Sequence, residues 1–195
     1  MSTERGTWIY LLGLLLFLFI TPLLPKVWTM LILATSLSLF SLTMKLFQQK
    51  MWRIKFPLLT LLLLSTIFMQ VTRAEAWLAI AYLVFVLLFV VNIYQMVYRL
   101  VTTAEPSNSF IITGVNTYLL LGYFFGVLCA GCEYIIPGSF RSAEALQPQD
   151  LQTFIYYAFV TMATLGYGDI LPHTAPGRGL AVIVMVSGTF YVTLV

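Results

Sequence analysis

The feature that most constrains this chain is a succession of six apolar runs, each near the length that crosses a bilayer. A membrane-spanning helix needs about 20 mostly apolar residues, and the runs occupy residues 8–24, 27–47, 56–71 (or from 54), 76–98, 111–136 and 180–195. Of all residues, 61% are hydrophobic and 9% are charged, and the charges avoid the middles of the runs, where lipid would surround them. The sequence predicts an all-α membrane protein with six transmembrane helices.

The basic residues predict which way the chain faces. Four of the ten Lys and Arg residues lie within positions 45–55, and loops rich in these residues stay in the cytoplasm. Counting spans from this loop predicts cytoplasmic N- and C-termini and an external segment 137–149, in what we expect to be the plasma membrane. Such loops account for the net charge of +3, so membrane lipid is the expected partner and nucleic acid is not.

A short helix is predicted directly before the sequence Thr164-Leu-Gly-Tyr-Gly-Asp169. Asp150 is a residue type that caps helix N-termini, and a helix over 150–163 would be about 20 Å long at 1.5 Å per residue. A bilayer has about 30 Å of hydrocarbon, which predicts that this helix is re-entrant. The glycines on either side of Tyr167 allow conformations in which consecutive carbonyl groups point to one side.

This Thr164–Asp169 sequence resembles the signature of the potassium-channel superfamily, with Leu165 where the commonest version has valine. The resemblance implies a selectivity filter, in which main-chain carbonyl oxygens replace the water around potassium ions. Its ion-binding residues would be Thr164, Leu165, Gly166, Tyr167 and Gly168. One chain supplies one such strand, so the resemblance also implies a homotetramer. Thr164–Asp169 is called the filter segment below.

The same resemblance divides the chain into a domain of four spans (1–98), an inner linker (99–110) and a pore domain (111–195). Within the pore domain it implies an outer helix over 111–136, a turret over 137–149, the pore helix over 150–163 and an inner helix over 178–195. The last run is still apolar at Val195. We therefore expect further residues after it, with a C-terminal regulatory domain or ligand as in relatives.

Side chains around the filter segment receive roles from the same resemblance. Tyr157 is expected to donate a hydrogen bond to Asp169, and Val160 stands where some relatives have a glutamate. Gly188 lies where many relatives have a hinge, although glycine in membrane helices also serves close packing. If the hinge alignment holds, the residues that face the cavity are Met185, Thr189 and Val192.

Three further residues have chemistry of their own. His173 follows the filter segment at the predicted outer mouth, where it could sense external pH or be an ordinary solvated residue. Cys129 and Cys132 lie in an apolar span without a nearby histidine, so helix packing is favoured over metal binding.

The fourth run lacks the charges of a voltage sensor. Residues 77–98 contain no lysine or arginine, whereas sensor helices carry several arginines through the membrane field. We therefore predict a potassium channel whose gating is largely independent of voltage. A pore subunit of a potassium transporter and a non-conducting accessory subunit are the alternatives. An enzyme is not expected, because no nucleophile with a base and no paired carboxylates lie in the spans.

Overall fold

The computed structural model describes residues 8–9, 11–16, 57, 60–61, 64, 75–102, 108–142 and 151–194. It divides the chain into two compact units, Met1–Thr117 and Tyr118–Val195. The predicted boundary lies in the linker 99–110, whereas this division falls inside a continuous helix. The predicted second span, the basic loop 45–55, the cap at Asp150 and the turret residues 143–149 lie outside the described residues.

The first unit is helical wherever it is described. Helix α1 runs over Glu75–Thr102 and corresponds to the predicted fourth span. It buries Leu88 and Phe89, and the Asn92 amide, also buried, donates to the Leu88 carbonyl at 2.8 Å. A buried amide is tolerated in an apolar helix when it finds a carbonyl of its own helix.

Helix α2 runs over Asn108–Ile135, so the two helices leave only residues 103–107 of the predicted linker between them. The second unit contains most of α2 and then strand β1 (Phe140–Ser142), helix α3 (Leu151–Met162), strand β2 (Ile170–Pro172) and helix α4 (Ala175–Leu194). Within the described part of the chain, Phe110–Ile135 and Ala175–Thr193 are long and apolar enough to cross a membrane. The architecture is that of a mostly helical membrane protein.

Helix α4 begins earlier than the predicted start at Arg178, because its first turn contains Pro176 and Gly177. Proline is compatible with a first turn, where its missing N–H would have no partner inside the helix. Thr174 caps this turn, since its hydroxyl accepts a hydrogen bond from the Gly177 amide at 3.3 Å. A Pro-Gly pair, which more often marks a turn than a helix, therefore lies inside α4.

Three glycines set the position of α3 between α2 and α4. A Cβ on Gly126 of α2 would lie 2.7 Å from the Ile155 Cα, and a Cβ on Gly188 of α4 would lie 2.5 Å from the Met162 carbonyl oxygen. A Cβ on Gly122, one turn before Gly126, would meet the Phe159 ring. At Gly126 and Gly188 the backbones approach too closely for any larger residue, as at small-residue contacts between membrane helices, and at Gly122 the Phe159 ring fills the space.

Aromatic rings fill the space beside these contacts. The Tyr123 ring, which is buried, meets the Phe159 ring edge to face at 5.8 Å, and Tyr118 contacts both Phe159 and Tyr191. Edge-to-face pairs stabilise beyond their buried area. The core of the second unit is thus built around the side of α3 that carries Phe159.

A two-stranded antiparallel sheet lies at the end of this unit where α2 ends and α4 begins. Phe140 pairs with Pro172, Arg141 with Leu171 and Ser142 with Ile170. The sheet joins the start of the predicted turret to the residues that follow the filter segment. Strands of three residues carry too little alternation for a sequence pattern to reveal them.

Replacement of Gly126 by alanine tests the close approach of α2 and α3. The added Cβ meets main-chain atoms of Ile155, which cannot rotate away, so we expect the free energy of unfolding in detergent to fall by about 1–3 kcal/mol. Gly179→Ala is the matched control, because a Cβ there meets nothing within 4 Å. A Gly126→Ala protein as stable as the Gly179→Ala protein would contradict the described packing.

Candidate functional site

The filter segment begins as the C-terminal cap of α3. The amide of Thr164 donates to the carbonyl of Thr161 (3.1 Å), and the amide of Leu165 donates to that of Val160 (3.0 Å). With Thr164 at φ 58°, these bonds form a Schellman motif, in which a left-handed residue ends a helix. Glycine is the usual residue at that position, and a β-branched residue with positive φ is an outlier. Thr164 therefore holds a strained backbone conformation at the start of the filter segment.

The same hydrogen bonds fix the direction of two carbonyl groups. In a planar trans peptide unit, an N–H points opposite to the C=O of the preceding residue. The amides of Leu165 and Gly166 both point back to the Val160 carbonyl, at 3.0 and 3.5 Å. The carbonyls of Thr164 and Leu165 consequently point away from α3.

Alternating backbone conformations continue this arrangement. The angle φ is positive at Thr164 (58°), Gly166 (55°) and Gly168 (80°), and not at the two residues between them. Where left-handed residues alternate with right-handed ones, successive N–H groups lie on one side of the chain and the carbonyls on the other; the filter segment has the alternating sign of φ that such a chain requires. Among the described residues, no backbone amide donates to the carbonyl oxygens of Thr164–Gly168.

The single chain leaves the filter segment uncovered. Every residue from Thr164 to Asp169 is exposed, including the side chains of Leu165 (57%) and Tyr167 (65%), whereas Ile170 directly after them is buried. Apolar side chains this exposed need either lipid or another protein surface around them.

The hydrogen-bond partner of Asp169 is Tyr156, which corrects the expectation of Tyr157. The Tyr156 hydroxyl donates to the Asp169 carboxylate, and the same carboxylate accepts the Ile170 amide at 3.1 Å. Tyr157 points to the other side of α3, where its ring packs on Phe140 at 5.2 Å and its hydroxyl bonds Thr161. Adjacent residues of a helix point about 100° apart, so only one of the two can reach the filter segment.

The other predicted site residues lie on α3 and α4. Val160 is buried, and its carbonyl serves the cap of α3. Gly188 packs against Met162. The three predicted cavity residues share one exposed side of α4: Met185, Thr189 and Val192.

The histidine and the cysteines stand apart from the filter segment's backbone. His173 is exposed, and its amide donates to the Ser139 carbonyl at 2.7 Å. Cys129 is buried, Cys132 is partly exposed, and both are free thiols. Within the described residues, no group of three or more potential metal ligands forms.

Several residues at the outer end were missed by the sequence reasoning. The buried Glu133 carboxylate accepts the amides of Gly138 (2.7 Å) and Phe140 (2.9 Å). The hydroxyl of Thr174 donates to that of Ser139 at 3.0 Å. Glu133 had a usable signal, since a charged residue near the end of an apolar span needs a partner. The small hydroxyl residues had none.

A short helix followed by carbonyls that point away from it, flanked by two helices of span length, is the arrangement of a pore-loop membrane channel. The family described as Ion channel matches residues 86–195, more than half of the chain. The chain therefore belongs to the ion-channel family, and its recognition from the Thr164–Asp169 motif is confirmed. This family is not one of enzymes.

One relative is the protein named Putative potassium channel protein YugO from Bacillus subtilis (strain 168). It is 44% identical over 39 residues, which are 20% of this chain and 12% of the relative. The chain thus aligns with only a small part of that protein's length. No solved structure matches the chain with significance.

The strained cap residue can be tested by comparing two substitutions of Thr164. Both Thr164→Ala and Thr164→Gly remove the hydroxyl, but only glycine adopts positive φ without steric cost. We expect the glycine variant to be more stable to unfolding than the alanine variant by about 1 kcal/mol, measured in detergent. Equal stability, or a more stable alanine variant, would show that Thr164 is not left-handed.

The two tyrosines form a matched pair for testing the Asp169 contact. Loss of one hydrogen bond changes an equilibrium by about two- to tenfold, so Tyr156→Phe is expected to shorten conducting periods by that factor in single-channel records. Tyr157→Phe removes a hydroxyl that does not reach Asp169 and is expected to leave these periods closer to wild type. The reverse order of effects would restore the original expectation of Tyr157.

Proposed function

We propose that this protein is a potassium-selective channel through which ions cross the membrane passively. The observation that carries the proposal is the direction of the Thr164 and Leu165 carbonyls, which the cap of α3 turns away from their own helix. Oxygens presented in this way can replace the hydration shell of a cation. The name of the Bacillus relative also refers to a potassium channel.

In this proposal, potassium is the transported ion, and its sites are formed by the carbonyls of Thr164, Leu165, Gly166 and Tyr167, with Gly168 supplying the final turn. The side chains of Leu165 and Tyr167 then pack away from the ions. Leucine in place of valine adds a methylene behind the filter segment, where it alters packing and leaves the oxygens unchanged. Ion selection is therefore expected to survive this departure from the common motif.

The proposed assembly is a homotetramer. One filter segment cannot surround an ion, and four would supply rings of four oxygens at each level. The exposed side chains of Leu165 and Tyr167 would be covered by the neighbouring copies. Main-chain groups at membrane depth need protein or a water-filled pore around them, and a fourfold assembly provides both.

The channel is proposed to lie in the plasma membrane, with the filter segment near the outer face. Its conduction is proposed to depend little on voltage. Helix α1 carries Arg99 close to its C-terminal end and no basic residue over 77–98. Movement of one charge through 100 mV is worth about 2.3 kcal/mol. A helix without charges in the membrane field gains no such energy from a change of voltage, so its movement cannot couple voltage to opening of the pore.

Ion flux into liposomes tests the proposal. Purified wild-type protein is expected to admit potassium and largely exclude sodium, whereas Gly166→Ala is expected to reduce this preference at least about tenfold, because alanine resists positive φ. Gly138→Ala is the matched control: Gly138 also has positive φ (82°) and open space around it, but it lies outside the filter segment. Bilayer recordings over a range of voltages provide a second readout.

Each alternative gives a distinct result in this experiment. Equal entry of potassium and sodium would refute selectivity, and absence of flux would favour a non-conducting accessory subunit. Potassium accumulation that requires a gradient of another ion would favour a transporter subunit. A steep dependence of conductance on voltage would refute voltage-independent gating.

A further inference from the structure

A chain of hydrogen bonds connects the first turn of α4 to the end of α2. The Gly177 amide donates to the Thr174 hydroxyl (3.3 Å), and the Thr174 hydroxyl donates to the Ser139 hydroxyl (3.0 Å). The Ser139 hydroxyl in turn donates to the Ile136 carbonyl at 2.7 Å. Each hydroxyl donates once and accepts once, so the bonds polarise one another in one direction. The pair Ser139 and Thr174 is called the outer joint.

The outer joint lies at the exit of the filter segment. Only strand β2 and His173 separate Asp169 from Thr174 along the chain, and β2 pairs with β1, which directly follows Ser139. The Ser139 carbonyl also accepts the amides of His173 (2.7 Å) and Thr174 (3.5 Å). Main-chain and side-chain bonds therefore converge on Ser139, which is fully buried.

The side of the joint that belongs to α2 is held by a charged group. Glu133 accepts the amides of Gly138 and Phe140, the residues on either side of Ser139, at 2.7 and 2.9 Å. Hydrogen bonds to a carboxylate are stronger than neutral ones. The turn that carries Ser139 is thereby a fixed support against which the filter exit is placed.

The first turn of α4 is packed tightly against Ser139. A Cβ on Gly177 would lie 2.6 Å from the Ser139 carbonyl oxygen, so the first turn of α4 rests directly on the Ser139 main chain. Any displacement of this turn must either break the hydroxyl chain or move Ser139.

We propose that Ser139 and Thr174 are positioning residues that hold the exit of the filter segment in its conducting conformation by tying it to the start of α4. This inference rests on the proposed function. The joint contributes no ligand to the ion. The joint determines how long residues 165–169 keep the backbone geometry that binds the ion. It also makes that geometry sensitive to movement at the start of α4.

A double-mutant cycle with two independent readouts tests the proposal. The variants are Ser139→Ala, Thr174→Val and both together, in the full chain reconstituted in lipid. One readout is the length of conducting periods in single-channel potassium currents. The other is hydrogen exchange at the amides of residues 165–169, which requires no current.

Each single variant removes the bond between the two hydroxyls and one further bond of the chain. It is expected to shorten conducting periods and to accelerate exchange by at least about two- to tenfold, the scale of one lost hydrogen bond. Since both single variants remove the same bond between the two hydroxyls, the double variant is expected to show less than the product of the single effects. Thr174→Ser keeps the hydroxyl and is expected to retain wild-type values. Thr193→Val is the matched control, because its hydroxyl bonds only to α4 itself.

Gly177→Ala provides a test that changes no hydroxyl. Its Cβ pushes on the Ser139 carbonyl, so it is expected to reproduce the shorter conducting periods and the faster exchange. Should Thr174→Val fail to fold, Ser139→Ala and Gly177→Ala still decide the question.

Unchanged exchange at 165–169 in Ser139→Ala and Gly177→Ala would overturn the proposal, as would effects that multiply fully in the double variant. A loss of global stability without a change specific to 165–169 would also overturn it. Faster exchange in a protein that passes no potassium would support the joint and refute the proposed function.

Discussion

The interaction on which the rest of this structure depends is the closure of α3 by the amides that follow it. Each amide that bonds back to the helix belongs to a peptide unit whose carbonyl must point the other way. The Val160 carbonyl, which receives the amides of Leu165 and Gly166, therefore determines where two filter oxygens lie. In the proposed channel, this ordinary way of ending a helix also presents the oxygens that replace the water around the ion, and it requires one left-handed threonine.

The closure works only if α3 itself is fixed, and a helix of 12 residues cannot be anchored by lipid at both ends. Contacts with Gly126 and Gly188 replace that anchorage by bringing three backbones together. Within a bilayer the hydrophobic effect does little to hold helices together, so such packing must supply the stability. The glycine at 188 is used for this contact, and any bending there would also disturb Met162 at the end of α3.

The sequence was sufficient for the features that depend on length and local composition, and insufficient for those that depend on the exact rotation of a helix. The short helix, the motif and the two flanking spans follow from apolar length and from two glycines. The sequence could not show which of Tyr156 and Tyr157 faces Asp169, because an offset of one residue turns a side chain by about 100°. The offset is counted back along α3 from Thr164, whose backbone has a conformation typical of glycine. The outer joint escaped prediction because serine and threonine occur in turns of many kinds.

The two ends of the filter segment differ in how far side chains take part in holding them. At its entry, main-chain bonds to Val160 and Thr161 are independent of side-chain identity. At its exit, main-chain bonds of the sheet and of the Ser139 carbonyl are joined by side-chain bonds of Ser139, Thr174 and Glu133, which single substitutions can remove. The exit is therefore the end at which small sequence changes can alter the lifetime of the proposed conducting geometry while leaving the oxygens, and hence the preferred ion, unchanged. In the proposed tetramer the exposed Leu165 and Tyr167 are supported by neighbouring copies, so a displacement that starts at one exit reaches the other chains through those side chains.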